Sequence, residues 1–300
     1  MSSTRFLSLA LFAAVFSVQL NAEQPDSLPR LTPRPAATAD VASPIMTLNG
    51  TWLFRTDSST TMADMGVDQS VSWSPIYVPS EWVMQSYSVQ PGTYAAYRRT
   101  FDLPGDWAGK RIKLRFDGVH SSCRVWVNGV DVGEHEGGFT VFEFDVTAQL
   151  TPGSNSITVA VKSESVADTL ASASQYAAHQ LGGITRKVTL FAVPELHIAS
   201  LVANSVFDRQ FRHADLLVDM AFVNESGQTA APAEFVCELM DPSGEKVPVA
   251  PATGTLGSLS PGELARRSIS IRAVDAKKWD PEHPNLYLLR IHVRQDGRTM

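Results

Sequence analysis

The chain has 300 residues, of which 44% are apolar and 19% charged, and its formal net charge at pH 7 is −6. These values are typical of a folded globular protein with roughly two domains, and they exclude an intrinsically disordered chain. Because the charge is only mildly acidic and no basic cluster occurs, neither nucleic acid nor an anionic membrane is predicted as a partner.

Residues 1–22 have the parts of a secretory signal peptide. Arg5 supplies a positive start, an apolar run of about fifteen residues follows, and the small residue Ala22 precedes a cleavage position before Glu23. A membrane-spanning helix needs roughly twenty apolar residues, so an anchor is the less favoured alternative. We therefore expect export, either to the periplasm or to the extracellular medium, and the sequence does not distinguish these two destinations.

Residues 23–45 differ from the rest of the chain in composition. They contain five prolines and show little apolar periodicity. Prolines in this number favour an extended backbone without a packed core. The sequence therefore predicts a Pro-rich, mobile linker between the signal peptide and the first domain.

Residues 46–194 carry short runs of β-forming residues at intervals of roughly ten positions, bounded by Gly, Pro, Asn or Asp. The runs are GTWLFRTD, RRTFDLP, RIKLRFDGV, CRVWVNGVDVG, FTVFEFDVT, NSITVAVKS and RKVTLFAVP. This spacing predicts an antiparallel β-sandwich.

One hairpin of this sandwich follows directly from the residues. Asn128 and Gly129 form the preferred pair for a two-residue type I′ turn, because both positions need a positive φ. The strand before the turn should then point Val125 and Val127 to one face and Arg124 and Trp126 to the other.

The stretch 165–180 is the only helical candidate. Its apolar residues follow a helical period, but its Ser and Ala content fits a long surface loop equally well. We favour a loop that contains about one helical turn.

Residues 195–300 form a second block of predicted strands. The runs are LHIASLVANSVF, DLLVDMAFVN, AEFVCELMD, KVPVA, RRSISIRA and LYLLRIHV. This number of strands predicts an immunoglobulin-type sandwich that is one strand short. The last run leads into Asp296 and Gly297, a hairpin signal that normally precedes a partner strand. We expect that strand to follow Met300, and a chain that ends naturally at Met300 is the alternative.

The densest group of titratable residues is Glu134, His135 and Glu136. Two carboxylates at alternate positions of a strand share a face, as a glycosidase pair could. Nothing apolar stands near them in the sequence to raise a pKa, so a solvated hairpin is the favoured interpretation. Cys123 and Cys237 are predicted to be buried free thiols. Two cysteines are too few for a zinc site, and no metal or cofactor is predicted.

Several motifs taken together resemble glycoside hydrolase family 2, which includes β-galactosidases, β-glucuronidases and β-mannosidases. The motifs are WSPIYVPSEW, VWVNG, FEFDVT and GGITR, followed by KKWDPEHPNLYLLRIHVRQDG, and they occur in the family's order. The resemblance covers residues 46–300. It implies an all-β chain with a sugar-binding jelly-roll sandwich at 46–194 and an immunoglobulin-like sandwich, lacking its last strand, at 195–300.

In this family a (β/α)₈ barrel comes next, and it carries the two catalytic glutamates of a retaining glycosidase. The resemblance therefore implies that no catalytic residue lies in these 300 residues. We expect the non-catalytic N-terminal part of an exported glycosidase, inactive by itself. Its expected partners are a β-glycoside, as an oligo- or polysaccharide, and its own barrel; whether it forms a homo-oligomer stays open.

The resemblance also points to two loops, 84–97 and 172–183, that would face the sugar pocket. The aromatic rings predicted to stack on sugars are Trp82, Tyr94 and Tyr176, with ordinary packing as the alternative for each. In the β-galactosidases these loops carry an Asn and an Asp; here the first has no Asn, and Ala177 stands about where the Asp would fall. Tyr176, His179 and Gln180 are the candidate replacements. The departure puts plain lactose-type specificity in doubt.

Two alternatives predict different behaviour for the isolated chain. A stand-alone carbohydrate-binding or adhesion module would bind a polysaccharide without hydrolysing it. A purely structural exported sandwich protein would neither bind nor hydrolyse one.

Overall fold

The computed structural model describes residues 31–56, 72–171, 176, 181–247 and 252–300. They form two antiparallel β-sandwiches in succession, which confirms the predicted fold class. Within the described ranges, no helix is long and apolar enough to cross a membrane.

Within the described residues, the first sandwich has ten strands in two sheets. The strands are β1 (Ile45–Thr47), β2 (Gly50–Thr56), β3 (Ser74–Val78), β4 (Tyr94–Leu103), β5 (Arg111–Phe116), β6 (Ser122–Val127), β7 (Val130–Glu136), β8 (Phe142–Asp145), β9 (Gly153–Lys162) and β10 (Val188–Val193). One sheet has the order β3-β2-β4-β9-β6-β7 and the other β1-β10-β5-β8. Their inner faces enclose one apolar core in which Trp52, Phe54 and Tyr97 are buried.

The predicted hairpin is confirmed. Asn128 and Gly129 have φ values of 50° and 79° and join β6 to β7. Val125 and Val127 are fully buried on the core side. The alternation of the sequence therefore sets which face of β6 enters the core.

In the part of the chain that the structure describes, the second sandwich contains seven strands. They are β11 (Leu196–Phe207), β12 (Ala214–Asn224), β13 (Ala233–Met240), β14 (Ala252–Leu256), β15 (Leu264–Ala273), β16 (Leu288–Gln295) and β17 (Arg298–Thr299). The sheet orders are β11-β12-β15 and β14-β13-β16-β17. The Asp296–Gly297 hairpin is present, and β17, its second arm, is two residues long.

Among the described residues, four strands are not predicted by the sequence pattern: β1, β3, β14 and β17. β3 includes Pro75, which disfavours a strand except at a sheet edge, and β3 lies at such an edge. β14 has the sequence ATGTL, with too few apolar residues to show alternation. The predicted strand KVPVA falls partly on residues outside the described ranges.

In the described part of the helical candidate at 165–180, Val166–Ala171 form a short helix, α1. The remainder of that stretch, apart from Tyr176, lies outside the described residues. Short 3₁₀ turns occur at Val83–Gln85, Gly105–Trp107 and Thr147–Gln149.

The prediction of a mobile linker needs correction for residues 31–44, because these residues are docked on the first sandwich. Thr32 and Thr38 are buried. The backbone N–H and hydroxyl of Thr32 donate to Glu143 at 2.9 and 2.7 Å, and its carbonyl accepts from Arg115. The Thr38 hydroxyl donates to the carbonyl of Ala192 at 3.0 Å. Proline content predicts an extended backbone correctly but cannot show what that backbone binds.

Removing this docked segment should destabilise the first sandwich. We expect a chain that begins at Ile45 to lose about 3 kcal/mol of unfolding free energy relative to one that begins at Leu31, since several hydrogen bonds worth about 1 kcal/mol each are lost. Urea denaturation followed by tryptophan fluorescence measures the difference. Equal midpoints for the two chains would show that the docking adds no stability.

Candidate functional site

The candidate site is one end of the first sandwich, where several segments far apart in sequence meet. We call it the loop end and define it as residues 82–87, 119–121, 136–140, 166–171 and 181–184. His120 joins three of these segments. Its backbone N–H donates to the carbonyl of Gly183 at 2.9 Å and its carbonyl accepts from the N–H of Gly183 at 3.2 Å. Its Nε2 lies 3.1 Å from Asp168 Oδ1.

Glycines let these segments approach one another closely. A Cβ at Gly138 would lie 2.2 Å from His120 Nδ1, and a Cβ at Gly182 would lie 1.9 Å from Cζ2 of Trp82. Gly137 and Gly183 have φ values of 143° and 119°, in the region that favours glycine. The loop end is thus held by close backbone packing.

The predicted aromatic residues do not form one site. Trp82 is only 2% exposed and belongs to the core. It therefore has the packing role that the sequence left open as the alternative to sugar stacking. Tyr94 is half-buried on the outer face of the six-stranded sheet, with Lys162 Nζ 5.9 Å from its ring centroid. Tyr176 is 86% exposed and is the one of the three that offers a free ring. His179 and Gln180 lie outside the described residues.

The loop end presents a group of exposed apolar side chains that the sequence analysis missed. They are Val83, Met84, Phe139, Val166 and Leu170. Phe139 packs against the His120 ring at a centroid distance of 5.4 Å. Large apolar residues inside otherwise polar loops are the signal that could have found them. Exposed apolar side chains on segments that meet at one end of a sandwich are candidates for contact with another domain or a ligand.

Glu134 and Glu136 are exposed, as the solvated-hairpin interpretation predicts. Glu136 Oε1 accepts a hydrogen bond from the N–H of Ala167 at 2.9 Å. In the described ranges no three His, Cys, Asp or Glu side chains are arranged to hold a metal ion. Cys123 and Cys237 are both buried free thiols, as predicted.

A cluster of charged side chains lies where the two sandwiches meet. Lys113 Nζ lies 3.0 Å from Asp145 Oδ2 and 2.7 Å from Glu225 Oε2, which joins β5 and β8 to the end of β12. Arg111 Nη2 also contacts Asp145, at 2.7 Å. Nothing in the spacing of these residues predicts that they meet.

Burial and the charges of this cluster shift the pKa values of Asp145 and His197. Burial alone would raise the pKa of Asp145, but hydrogen bonds from Thr147 and the charge of Lys113 outweigh it and hold that pKa below the ordinary aspartate value. Burial lowers the pKa of His197, and Lys113 adds to this effect while Glu225 opposes it. The junction therefore favours a charged Asp145 and a neutral His197.

The lowered pKa of Asp145 predicts a pH dependence. A carboxyl whose pKa is lower in the folded than in the unfolded protein stabilises the fold above the unfolded value of about 4, and this contribution is lost as the pH falls. The stability difference between the wild type and Asp145→Asn should be constant above about pH 5 and shrink below about pH 4. Denaturation midpoints of the two proteins at several pH values measure it; a difference that does not change with pH would contradict the assignment.

Comparison with known proteins agrees with this architecture. Residues 45–194 match the family model described as "Glycosyl hydrolases family 2, sugar binding domain", and residues 196–300 match the one described as "Glycosyl hydrolases family 2". A β-galactosidase of Priestia megaterium is 29% identical over 279 residues, covering 82% of this chain and 26% of that protein. A putative β-glucuronidase of Formosa agariphila is 26% identical over 264 residues, covering 83% and 29%.

Among solved structures, a β-glucuronidase of Bacteroides uniformis superimposes with a TM-score of 0.72 at 26% identity, covering 85% of this chain and 31% of that one. The chain thus spans between a quarter and a third of the length of these relatives. The family models match consecutive segments that together include both sandwiches, so the chain belongs to glycosyl hydrolase family 2.

Proposed function

We propose that these residues are the non-catalytic N-terminal part of an exported glycoside hydrolase that cleaves β-glycosides. The observation that carries the proposal is the consecutive match of both sandwiches to family 2 domains. Two further points support it: the named relatives are β-galactosidases and β-glucuronidases, and this chain spans only 26–31% of the three named above. The catalytic glutamates would belong to a (β/α)₈ barrel outside these residues.

In this proposal the loop end of the first sandwich faces the barrel and forms one wall of the sugar pocket. Its exposed apolar side chains would be covered by the barrel, and the free ring of Tyr176 would stack on a sugar. The hydrogen bonds of His120 and the packing of Gly182 would keep this wall rigid. A rigid scaffold that positions loops is a common arrangement for carbohydrate sites.

The test is a kinetic comparison in the longer protein that carries the barrel. Tyr176→Ala should lower kcat/KM for an aryl β-glycoside about three- to tenfold, because one stacking contact is lost, and should leave the fold unchanged. The matched control is Phe211→Asn, which replaces an exposed aromatic ring in the second sandwich by a residue that tolerates its positive φ. Unchanged kinetics for Tyr176→Ala would remove the role proposed for that ring.

Export is the second part of the proposal. Edman sequencing of the protein recovered from cells should give Glu23 as the first residue, because the signal peptide is cleaved there. Recovery of a chain that still begins with residues 1–22 would contradict export by this route.

A second candidate function is a stand-alone carbohydrate-binding module. The description of the matched family domain, "sugar binding domain", favours it. It predicts that the 300-residue protein binds a polysaccharide in affinity electrophoresis and releases no sugar, without any barrel present. Absence of such binding would favour the first proposal, in which the chain is part of a glycosidase.

A further inference from the structure

His197 is buried although it points away from the core of its own sandwich. Its neighbours on β11, Leu196 and Ile198, pack into the core of the second sandwich. Successive side chains of a strand point to opposite faces, so the imidazole lies on the outer face. Its side chain is nevertheless only 4% exposed. The groups that cover it therefore lie outside that core, on the side where the two sandwiches meet.

The hydrogen bonds of His197 show which ring nitrogen carries the proton when the imidazole is neutral. Nδ1 lies 2.9 Å from the carbonyl oxygen of Pro194. A carbonyl oxygen only accepts, so Nδ1 carries the hydrogen and Nε2 has a lone pair. Nε2 is buried and has no hydrogen-bond partner among the described residues. The neutral ring thus leaves one buried nitrogen unused.

The group that faces this nitrogen is a carboxylate. Nε2 of His197 lies 3.9 Å from Oε2 of Glu225, which is too far for a hydrogen bond. A lone pair and a carboxylate oxygen have no proton to share. A protonated Nε2 would supply that proton, and a movement of the carboxylate by about 1 Å would then complete the bond.

Glu225 is held at present by cations of the first sandwich. Its Oε2 lies 2.7 Å from Lys113 Nζ and 3.4 Å from Arg111 Nε. Lys113 is also paired with Asp145, at 3.0 Å, so it would keep one carboxylate if Glu225 moved. The remaining acidic residue beside His197 in the chain, Glu195, is exposed. The contacts of Glu225 with β5 therefore join the second sandwich to the first, whereas a contact with His197 would lie within the second.

The surroundings of His197 determine at which pH this exchange occurs. Burial lowers the pKa of His197, the charge of Glu225 opposes this effect, and the charge of Lys113 adds to it. Because the folded pKa lies below the ordinary value, the unfolded chain takes up this proton first as the pH falls. The group therefore leaves the stability of the fold unchanged above about pH 6.5 and lowers it below that pH.

We propose that His197 makes the junction of the two sandwiches acid-sensitive by taking the Glu225 carboxylate from Lys113. At neutral pH the carboxylate pairs with the ammonium across the junction. On acidification Nε2 gains a proton and donates to Glu225, so the carboxylate becomes paired within the second sandwich. The contact across the junction weakens, and the two sandwiches become free to move relative to each other. This device uses only contacts between described residues and does not depend on the glycosidase assignment.

The test measures how much Lys113→Met raises the equilibrium constant for unfolding of the 300-residue protein at pH 7.5 and at pH 5.0. Carboxyl groups ordinarily titrate below the lower value, so the histidines are the side chains whose charge changes most. The effect of Lys113→Met should be at least about threefold smaller at pH 5.0, because Glu225 has already left Lys113. An effect of equal size at both pH values would overturn the proposal, and this comparison needs no variant of His197.

A second comparison places the pH dependence on His197. In a His197→Asn background the effect of Lys113→Met should be the same at both pH values. Asparagine keeps an N–H donor for the Pro194 carbonyl but does not titrate. The matched control is His283→Gln, because His283 also pairs with a carboxylate but its side chain is 75% exposed. It should leave the pH dependence unchanged.

Proton NMR of the imidazole C2–H groups supplies an independent measurement. The signal that disappears in His197→Asn belongs to His197, and in the wild type it should titrate at a lower pH than the signal of His283. Titration of both signals at the same pH, a pH dependence that survives His197→Asn, or one that His283→Gln abolishes would each overturn the proposal.

Discussion

Gly182→Ala should lower the unfolding free energy of the first sandwich by about 3 kcal/mol, at the upper end of the cost of overpacking a core. The added Cβ would lie 1.9 Å from Cζ2 and 2.3 Å from Cε2 of the Trp82 indole, a rigid ring that cannot fold away. That ring is buried, with its centroid 6.4 Å from that of Phe54, so a shift of the indole would disturb the core. Denaturation followed by tryptophan fluorescence gives the value.

The control for this prediction is Gly105→Ala. A Cβ at Gly105 would meet no atom within 4 Å, and neither glycine has a positive φ. Gly105→Ala should therefore be neutral or slightly stabilising, through its effect on the unfolded chain. Equal stabilities for Gly182→Ala and Gly105→Ala would show that Trp82 can move aside, and the loop end would not be rigid as described.

Lys113→Met should destabilise the junction of the two sandwiches by about 3 kcal/mol, the cost of breaking a buried ion pair by removing one partner. The Lys113 side chain is only 6% exposed and its ammonium lies between the carboxylates of Asp145 and Glu225. Methionine has a similar length but no charge, so Asp145 and Glu225 would lose the buried ammonium and keep Arg111 as their shared cation. We also expect the two sandwiches to unfold in separate steps, which calorimetry would resolve.

Lys246→Met is the matched control, because Lys246 also pairs with a carboxylate but at the surface. Its Nζ lies 2.6 Å from Glu238, and its side chain is 58% exposed. Exposed pairs of this kind are worth less than about 1 kcal/mol. If Lys246→Met lost as much unfolding free energy as Lys113→Met, burial would not be what sets the strength of the ion pairs at the junction.

The sequence predicts the fold well where local pattern decides it. Alternation identifies most strands, and Asn128-Gly129 identifies a hairpin, because both depend on neighbours in the chain. The docking of residues 31–44 could not be predicted, since it depends on Glu143 and Arg115, more than 80 positions away. Proline content alone does not show that a segment has such a binding surface.

The contacts within the candidate site are harder to predict from the sequence for the same reason. Trp82 is an aromatic residue of the kind that stacks on sugars. Its burial, however, depends on Gly182, which lies 100 positions further along the chain. The contact of Lys113 with Glu225 has no spacing that signals it, because it forms only when the two sandwiches pack together. Sequence reasoning therefore predicts individual strands reliably and contacts between distant segments poorly.

The central claim is that these two sandwiches serve a glycosidase barrel outside the 300 residues. An antibody raised against residues 46–300 and used on cells of the source organism tests it most directly, with hydrolysis of aryl β-glycosides assayed in the captured material. The account predicts a polypeptide much longer than 300 residues that hydrolyses the substrate. A captured chain of about this length with no hydrolytic activity would contradict it.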